Sequence, residues 1–259
     1  MKILNRIRLL SVLTALFGCF AIFPAQAEIL TSETSMTVCK RITPLLETEL
    51  SALGVDLGNP IFIRIFKESH ELELWVQQDE DYKLFKTYEI CNLSGELGPK
   101  LREGDEQSPE GFYSVSERQL NPNSRYHLSF DIGYPNIYDK LHGRTGSALM
   151  IHGDCISVGC FAMTDSRIEE IYTLAQEALR NGQSFFRVHI FPFRMTEANM
   201  RRHKNSNWFS FWQNLKQGYD YFEKTKMPPQ INVAGNRYVC APDYTETARN
   251  LRKTNKIYN

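Results

Sequence analysis

The sequence predicts a mainly β domain built around one well-formed core helix and followed by a helical C-terminal extension. Three observations predict it. From Ile61 onward apolar residues alternate with polar ones in one short run after another. Within that region only residues 164–182 carry a strong helical period. Helices do not alternate with the strands, which argues against a parallel βαβ sheet. The 259 residues, 42% hydrophobic and 12% aromatic, suffice for a real core. Thirty basic side chains cancel thirty acidic ones, so no overall field favours nucleic acid or an anionic membrane surface.

The elements follow in order. Residues 1–27 read as a signal peptide: Lys2, Arg6 and Arg8 form a basic start, an apolar run follows, and Ala25-Gln26-Ala27 is a small-residue cleavage site. The apolar run is shorter than the ~20 residues of a spanning helix, and no later segment is apolar enough, so stable membrane insertion is not expected. Residues 28–59 form a helical lead-in with an amphipathic pattern around Leu45, Leu46 and Leu50, ending at Gly58-Asn59-Pro60. Ile61, Ile63 and Ile65 begin a hairpin that returns through residues 70–76, and residues 82–91 supply a third strand.

Residues 92–111 hold the densest Gly and Pro punctuation in the chain, the mark of a long ordered loop of the functional kind. Short strands follow at 112–116, 128–132 and 148–151, which leaves His152 at the end of an apolar strand. In the helix over 164–182, Ser166 and Glu169 fit a capping box, and Ile168, Ile171, Tyr172, Ala175, Ala178 and Leu179 share one face. A strand over 185–193 closes the domain. In the extension, 193–259, Trp208, Phe211, Trp212, Leu215 and Tyr219 recur at helical spacing, as a stripe packed on the main domain does. A short strand and a tail are expected from Asn232 onward.

The chemistry concentrates in His152-Gly153-Asp154-Cys155-Ile156-Ser157-Val158-Gly159-Cys160. A thiol attacks carbonyls as thiolate, and a histidine within reach can take its proton. Gly159 permits close backbone approach, and the Cys160 N–H with a neighbouring N–H would suit an oxyanion. Removal of residues 1–27, which contain Cys19, leaves five of the six cysteines, an odd number, so at least one thiol is unpaired within the monomer. If that thiol is Cys160, then Cys39, Cys91, Cys155 and Cys240 allow three pairings that sequence does not rank. The same residues admit other readings: zinc held by His152, Cys155 and Cys160, a Cys155–Cys160 disulfide, or a buried histidine beside an inert thiol. Asp154 is a candidate to orient His152, and Tyr126, Tyr134 and Arg144 are candidates to line the site. The Arg201-Arg202-His203-Lys204 cluster reads as a solvated face, or as a contact for anionic material.

His152-Gly153 followed by Ser157, Gly159 and Cys160 resembles the signature of the L,D-transpeptidase (YkuD) catalytic-domain family. Gly98-Pro99-Lys100, Gly104-Asp105 and Ser108-Pro109-Glu110-Gly111-Phe112-Tyr113 resemble that family's upstream motif, and the likeness extends over residues 60–192. The Ser157-to-Met163 ending and Pro192-Phe193-Arg194-Met195-Thr196 resemble its YafK/DpaA-like branch, associated with release of lipoprotein from murein. The resemblance implies a β-rich sandwich fold. It also implies Cys160 as nucleophile and His152 as general acid/base, supported by Gly153, Ser157 and Gly159. The expected partners are peptidoglycan stem peptides and the murein lipoprotein, the expected location is the periplasm, and no metal or cofactor is expected. Val158 replaces the family's usual second histidine and Ala162 its usual arginine, so a bidentate clamp on a substrate carboxylate is lost there. Three functions follow from this pattern: hydrolytic release of lipoprotein, L,D-crosslinking, and murein binding without catalysis.

Overall fold

The computed structural model describes residues 29–241; the expected signal peptide and the tail beyond residue 241 lie outside the described residues. Helix α1 (Glu33–Ala52) starts at Ser32, whose side chain accepts the Ser35 N–H. The lead-in helix is thus longer than its Leu pattern suggests. It buries Val38, Ile42, Leu46 and Leu50, while Leu45 faces out.

Strands β1 (Ile61–Phe66), β2 (Glu71–Gln78) and β3 (Asp81–Glu89) form the expected antiparallel meander, and β4 (Asn92–Leu93) follows. Next come β5 (Gly111–Val115), β6 (Leu120–Asn121), β7 (Ser129–Asp131), α2 (Ile137–Leu141), β8 (Met150–His152), β9 (Phe161–Ala162), α3 (Asp165–Arg180) and β10 (Phe186–Phe191). One sheet has the order β3-β2-β1-β10-β5 and the other the order β4-β9-β8-β7-β6. Each sheet is mixed: β1 pairs with β10 in parallel, as β8 does with β9, and the remaining pairs are antiparallel. Two parallel pairs therefore occur without any alternation of strand and helix along the sequence.

The main core lies between the sheets. Ile61, Ile63 and Ile65 of β1 meet Phe130, Ile151 and Phe161 of the second sheet, and α1 and α3 close the layer. The alternate residues of β1, Phe62 and Phe66, point to the opposite face, where the extension covers them. All six residues of β1 are buried because both faces of its sheet are occupied.

That cover consists of α4 (Glu197–Arg202), α5 (Phe209–Thr225) and the hairpin β11 (Gln230–Ala234)–β12 (Arg237–Ala241), where a single strand was expected from Asn232. Phe211, Trp212, Leu215, Tyr219 and Phe222 of α5 pack inward, as the aromatic stripe requires. Arg64 crosses the interface, buried between Glu73 and Glu223 with its guanidinium 4.6 Å from the Phe222 ring centre. The basic cluster of α4 is partly engaged: Arg202 and His203 pair with Glu68, and the His203 ring stacks on Phe193.

At α3 the capping box does not form. Thr164, in the left-handed region at φ 73°, is the N-cap without a side-chain cap bond, and its N–H goes to the Asp154 carbonyl. Glu169 turns instead to Arg41 and His127. The helix start is thereby tied to the His152–Cys160 loop.

Candidate active site

β8 and β9 lie side by side with Ile151 opposite Phe161 and His152 opposite Ala162, and the same register sets Cys160 beside Met150. Neighbours in register share a face, and successive residues alternate. Ile151 and Phe161 are fully buried in the core. His152, Met150 and Cys160 therefore occupy the opposite face, with Ser129 and Asp131 across on β7.

The Met150 N–H donates to Cys160 Sγ at 3.4 Å, and the thiol lies 3.7 Å from the Ala148 carbonyl oxygen. Burial pushes the Cys160 thiol above its ordinary value of 9.0, the nearby Asp131 adds to that, and the Met150 N–H and the Lys100 charge oppose it. The resting sulfur is a neutral thiol at neutral pH. His152 is 2% exposed, its ring centre 4.7 Å from that of Tyr126. Its Nδ1 lies 2.6 Å from the Gly153 carbonyl oxygen, which only accepts, so Nδ1 carries the proton and Nε2 the lone pair. Burial holds the imidazole below 6.5, against the opposing pull of the Gly153 carbonyl and Asp154. Among the described residues no hydrogen bond joins His152 to Cys160; they are diagonal neighbours on one sheet face, a spacing that substrate binding can tighten.

The orienting partner of His152 is the Gly153 carbonyl, whereas the Asp154 carboxylate accepts the Cys155 N–H. Gly153 donates its N–H to the Tyr126 and Leu128 carbonyls, and a Cβ there would meet Asp165 Oδ1 at 2.6 Å. Only glycine fits. Gly159, at φ +91°, commits its N–H to Ser94 Oγ at 2.6 Å, so the second oxyanion donor is not this amide. Ser157 Oγ donates to the Cys160 carbonyl at 2.7 Å, and Ser108 Oγ to the same oxygen at 3.3 Å.

The glycine-rich loop closes around an ammonium group. Lys67 Nζ, buried, donates to the carbonyls of Glu96, Gly98 and Ser108 and to the Glu110 carboxylate, and burial lowers its pKa. Glu110 also accepts the Gly98 N–H and, from α5, the Trp212 indole N–H. Lys100 pairs with Asp105; burial alone would raise that carboxyl, but Lys100 and three backbone amides hold it at about 2. Tyr134 donates to the Lys100 carbonyl, whereas Arg144 is buried against Asp139 and does not line the site.

Cys155 forms a disulfide with Cys91, which removes it from any zinc site and from pairing with Cys160. Cys39, Cys160 and Cys240 are free. The Cys91–Cys155 bridge belongs to one of the three pairings that the sequence left unranked, although Cys39 and Cys240 do not pair, and Ser94 was missed in the sequence. The only local signal for Ser94 is its place just after a strand at the mouth of the long loop. Among the described residues no cluster of three or more His, Cys, Asp or Glu is arranged to hold a metal.

The chain is 55% identical over 183 residues to the protein YafK of Escherichia coli K12, whose name assigns it provisionally to the L,D-transpeptidases; the match covers 71% of this chain and 74% of the relative. The YafK of strain O157:H7 matches over the same fractions. Among solved structures, the helical cell shape determining protein Pgp2 of Campylobacter jejuni superposes with a TM-score of 0.41 at 18% identity, over 72% of this chain and 79% of that one, too loosely to support inference. The family model for the L,D-transpeptidase catalytic domain, YkuD, matches residues 60–190. With Cys160, His152 and the glycine-rich loop gathered around one strand pair inside that span, the chain belongs to the YkuD family of L,D-transpeptidase catalytic domains.

Proposed function

We propose that this protein is an exported, periplasmic cysteine acyl-transfer enzyme of peptidoglycan, and that its dominant reaction is hydrolysis releasing murein-bound lipoprotein. The observation that supports the chemistry is that a thiol at Cys160 and a histidine share one sheet face, with the histidine's Nδ1 committed to a carbonyl and its Nε2 left to accept a proton. In this reading residues 60–192 are the catalytic unit, flanked by a lead-in, 28–59, and an extension, 193–259, whose described parts pack against it. No helix among the described residues is long and apolar enough to cross a membrane.

His152 Nε2 takes the Cys160 proton as the sulfur attacks the carbonyl on the L-centre of meso-diaminopimelate. The tetrahedral adduct collapses with cleavage of the C–N bond, and His152 returns the proton to the departing amine. A thioester remains. Water then attacks it with His152 as base, the C–S bond breaks, and the released sulfur regains the proton. Gly153 orients the base, and Ser157 and Gly159 hold the turn that presents the thiol.

Hydrolysis is favoured by what surrounds Cys160. Ala162 is completely buried opposite His152, so no arginine clamp stands there, and Val158, 64% exposed, offers an apolar surface where the family carries a polar ring. L,D-transpeptidation is the second reading, favoured by the name of the relatives. Lipoprotein-linked sacculi digested with the purified protein and analysed by mass spectrometry separate the two. The expected products are free lipoprotein and stems ending in diaminopimelate. New diaminopimelate cross-links without lipoprotein release would overturn hydrolysis in favour of transfer. Cys160→Ala is expected to be inert in both assays; an active variant would exclude Cys160 as nucleophile.

A further inference from the structure

His152 stands where β8 hands over to a loop, yet it is buried. The ring packed on it is Tyr126, its plane inclined by 30° to the imidazole and its centre 4.7 Å away. Tyr126 itself is 37% exposed. Together with Arg125, Asp154, Thr164 and Asp165 it lines an open groove of about 610 Å³, which His152 does not line. The phenol ring is therefore a wall, with the histidine on one side and the groove on the other.

The backbone fixes that wall in place. The Tyr126 carbonyl accepts the Gly153 N–H at 3.0 Å, and the Tyr126 N–H donates to Ser124 Oγ at 3.1 Å. The next residue, His127, lies in the left-handed region at φ 53–67° of such turns, at 67°, and its Nε2 is 2.9 Å from the Glu169 carboxylate of α3. Gly153 is thus tied on both sides, by Tyr126 at its N–H and by His152 Nδ1 at its carbonyl. The imidazole is held at one edge by that carbonyl and over one face by the phenol ring. Neither contact occupies Nε2.

We infer that Tyr126 is the positioning residue of the catalytic base: its ring fixes the plane of the His152 imidazole and shuts it off from the groove, so that one orientation, with Nε2 uncommitted, awaits the substrate. The inference rests on the acid–base role proposed for His152 above. A functional side chain held by a packed neighbour as well as by a hydrogen bond keeps its geometry better than one held by either alone. The charged and titratable groups on the elements around the imidazole are Asp154 in its own loop, Arg125 and His127 beside Tyr126, Asp131 on β7, Cys160 next to β9 and Asp165 at the start of α3. Burial acts on it most, and the Gly153 carbonyl and Asp154 oppose that burial. Removing the ring admits water, which favours the charged imidazole, so the acid limb of activity moves to higher pH.

The test compares the full-length parent protein with Tyr126→Phe and Tyr126→Ala. Ring resonances of His152, assigned by their loss in His152→Gln, are titrated by NMR, and lipoprotein release from sacculi is measured against pH. Tyr126→Phe, which keeps the ring, is expected to match the parent in both. In Tyr126→Ala the His152 titration and the acid limb are expected to move up together toward 6.5. Its kcat is expected to fall about tenfold with little change in KM, a part of the ~10²–10⁴ that a positioned acid–base group contributes. Tyr126→Leu, which loses the flat ring and keeps apolar bulk, takes the place of the alanine variant if that one does not fold, with a displacement in the same direction. An unmoved His152 titration overturns the inference. So does a rise in KM at unchanged kcat, which would make Tyr126 a substrate contact, and so does an equal loss in Tyr126→Phe, which would move the role to the hydroxyl. The NMR titration needs no substrate, so a parent protein inactive on sacculi would sink the proposed reaction while the His152 titration still decides this inference.

Discussion

At Cys160 burial outweighs one backbone N–H and one distant ammonium, so the resting thiol is held neutral. Alkylation of Cys160 by iodoacetamide is therefore expected to rise with pH with a midpoint above 9, and a midpoint near neutrality would show a preformed thiolate pair. Activity should fall on the acid side as His152 protonates, with that limb lying below the ordinary value of 6.5. His189 is also buried neutral, with its pKa pushed well down by burial and by Arg187 and Arg64. A histidine whose folded pKa is depressed contributes stability that is complete above about 6.5 and is lost as pH falls toward the folded value. His189→Phe should flatten the acid side of a plot of Tm against pH. Gly153→Ala forces a Cβ to 2.6 Å from Asp165 Oδ1 and 2.8 Å from the Tyr126 carbonyl. We expect a loss of about 1–3 kcal/mol in denaturant unfolding and a fall in kcat as the carbonyl that orients His152 shifts. The meeting of His152 and Cys160 on one sheet face was legible in the sequence because strand end, turn glycine and unpaired thiol coincide within nine residues. Ser94 was not, since its bond to Gly159 spans 65 positions and depends on how the long loop folds back.

Among the elements, the His152–Cys160 loop is held at more points than its length suggests. The Cys91–Cys155 bridge ties it to the end of β3, the Asp165 carboxylate accepts the Asp154 N–H, and Ser94 accepts from Gly159. A bridge across 64 positions is expected to stabilise by about 4 kcal/mol in the chain-entropy account. Cys91→Ser with Cys155→Ser should therefore lower the denaturant midpoint and lower kcat more than it raises KM, because the bridge orders the loop that carries Cys160. An unchanged kcat would make the bridge a purely global brace. The β1–β2 hairpin and α3 were legible because each satisfies its own periodicity locally. The parallel pairings and the disulfide were not: they join segments whose meeting is decided by the packed core, and no local pattern encodes a partner. The capping box at Ser166 failed for a related reason, since the Thr164 N–H is claimed by the Asp154 carbonyl in tertiary contact.

For the whole molecule the described part of the C-terminal extension, residues 193–241, is packed into the fold. It covers the outer face of the first sheet, and Trp212 reaches through to Glu110, which with Lys67 organises the glycine-rich loop. Arg64 is the charge most dependent on this arrangement, being paired with Glu73 from β2 and Glu223 from α5. Removing one partner of a buried pair costs about 3–5 kcal/mol. Glu73→Leu should reach that range in urea unfolding, since Glu73 also receives the Trp75 indole and Arg194. The aromatic stripe of α5 foretold that the extension packs on the domain. It did not foretell on which face, because either sheet surface would accept an apolar helix.

The central position of the β1–β10 pair has a consequence in time. Ile63 lies beside Val188, so the middle of the first sheet waits for a segment made 125 residues later (188 minus 63). Chains whose contacts are this non-local fold in milliseconds to seconds, since a long loop must close before any native pairing stabilises it. The hairpin of β1 and β2 can form early, yet its parallel neighbour and the helix that shields its outer face arrive last. Under the exported reading proposed above, the chain would profit from that delay: it would stay extended while it crosses and complete its sheet only on the far side.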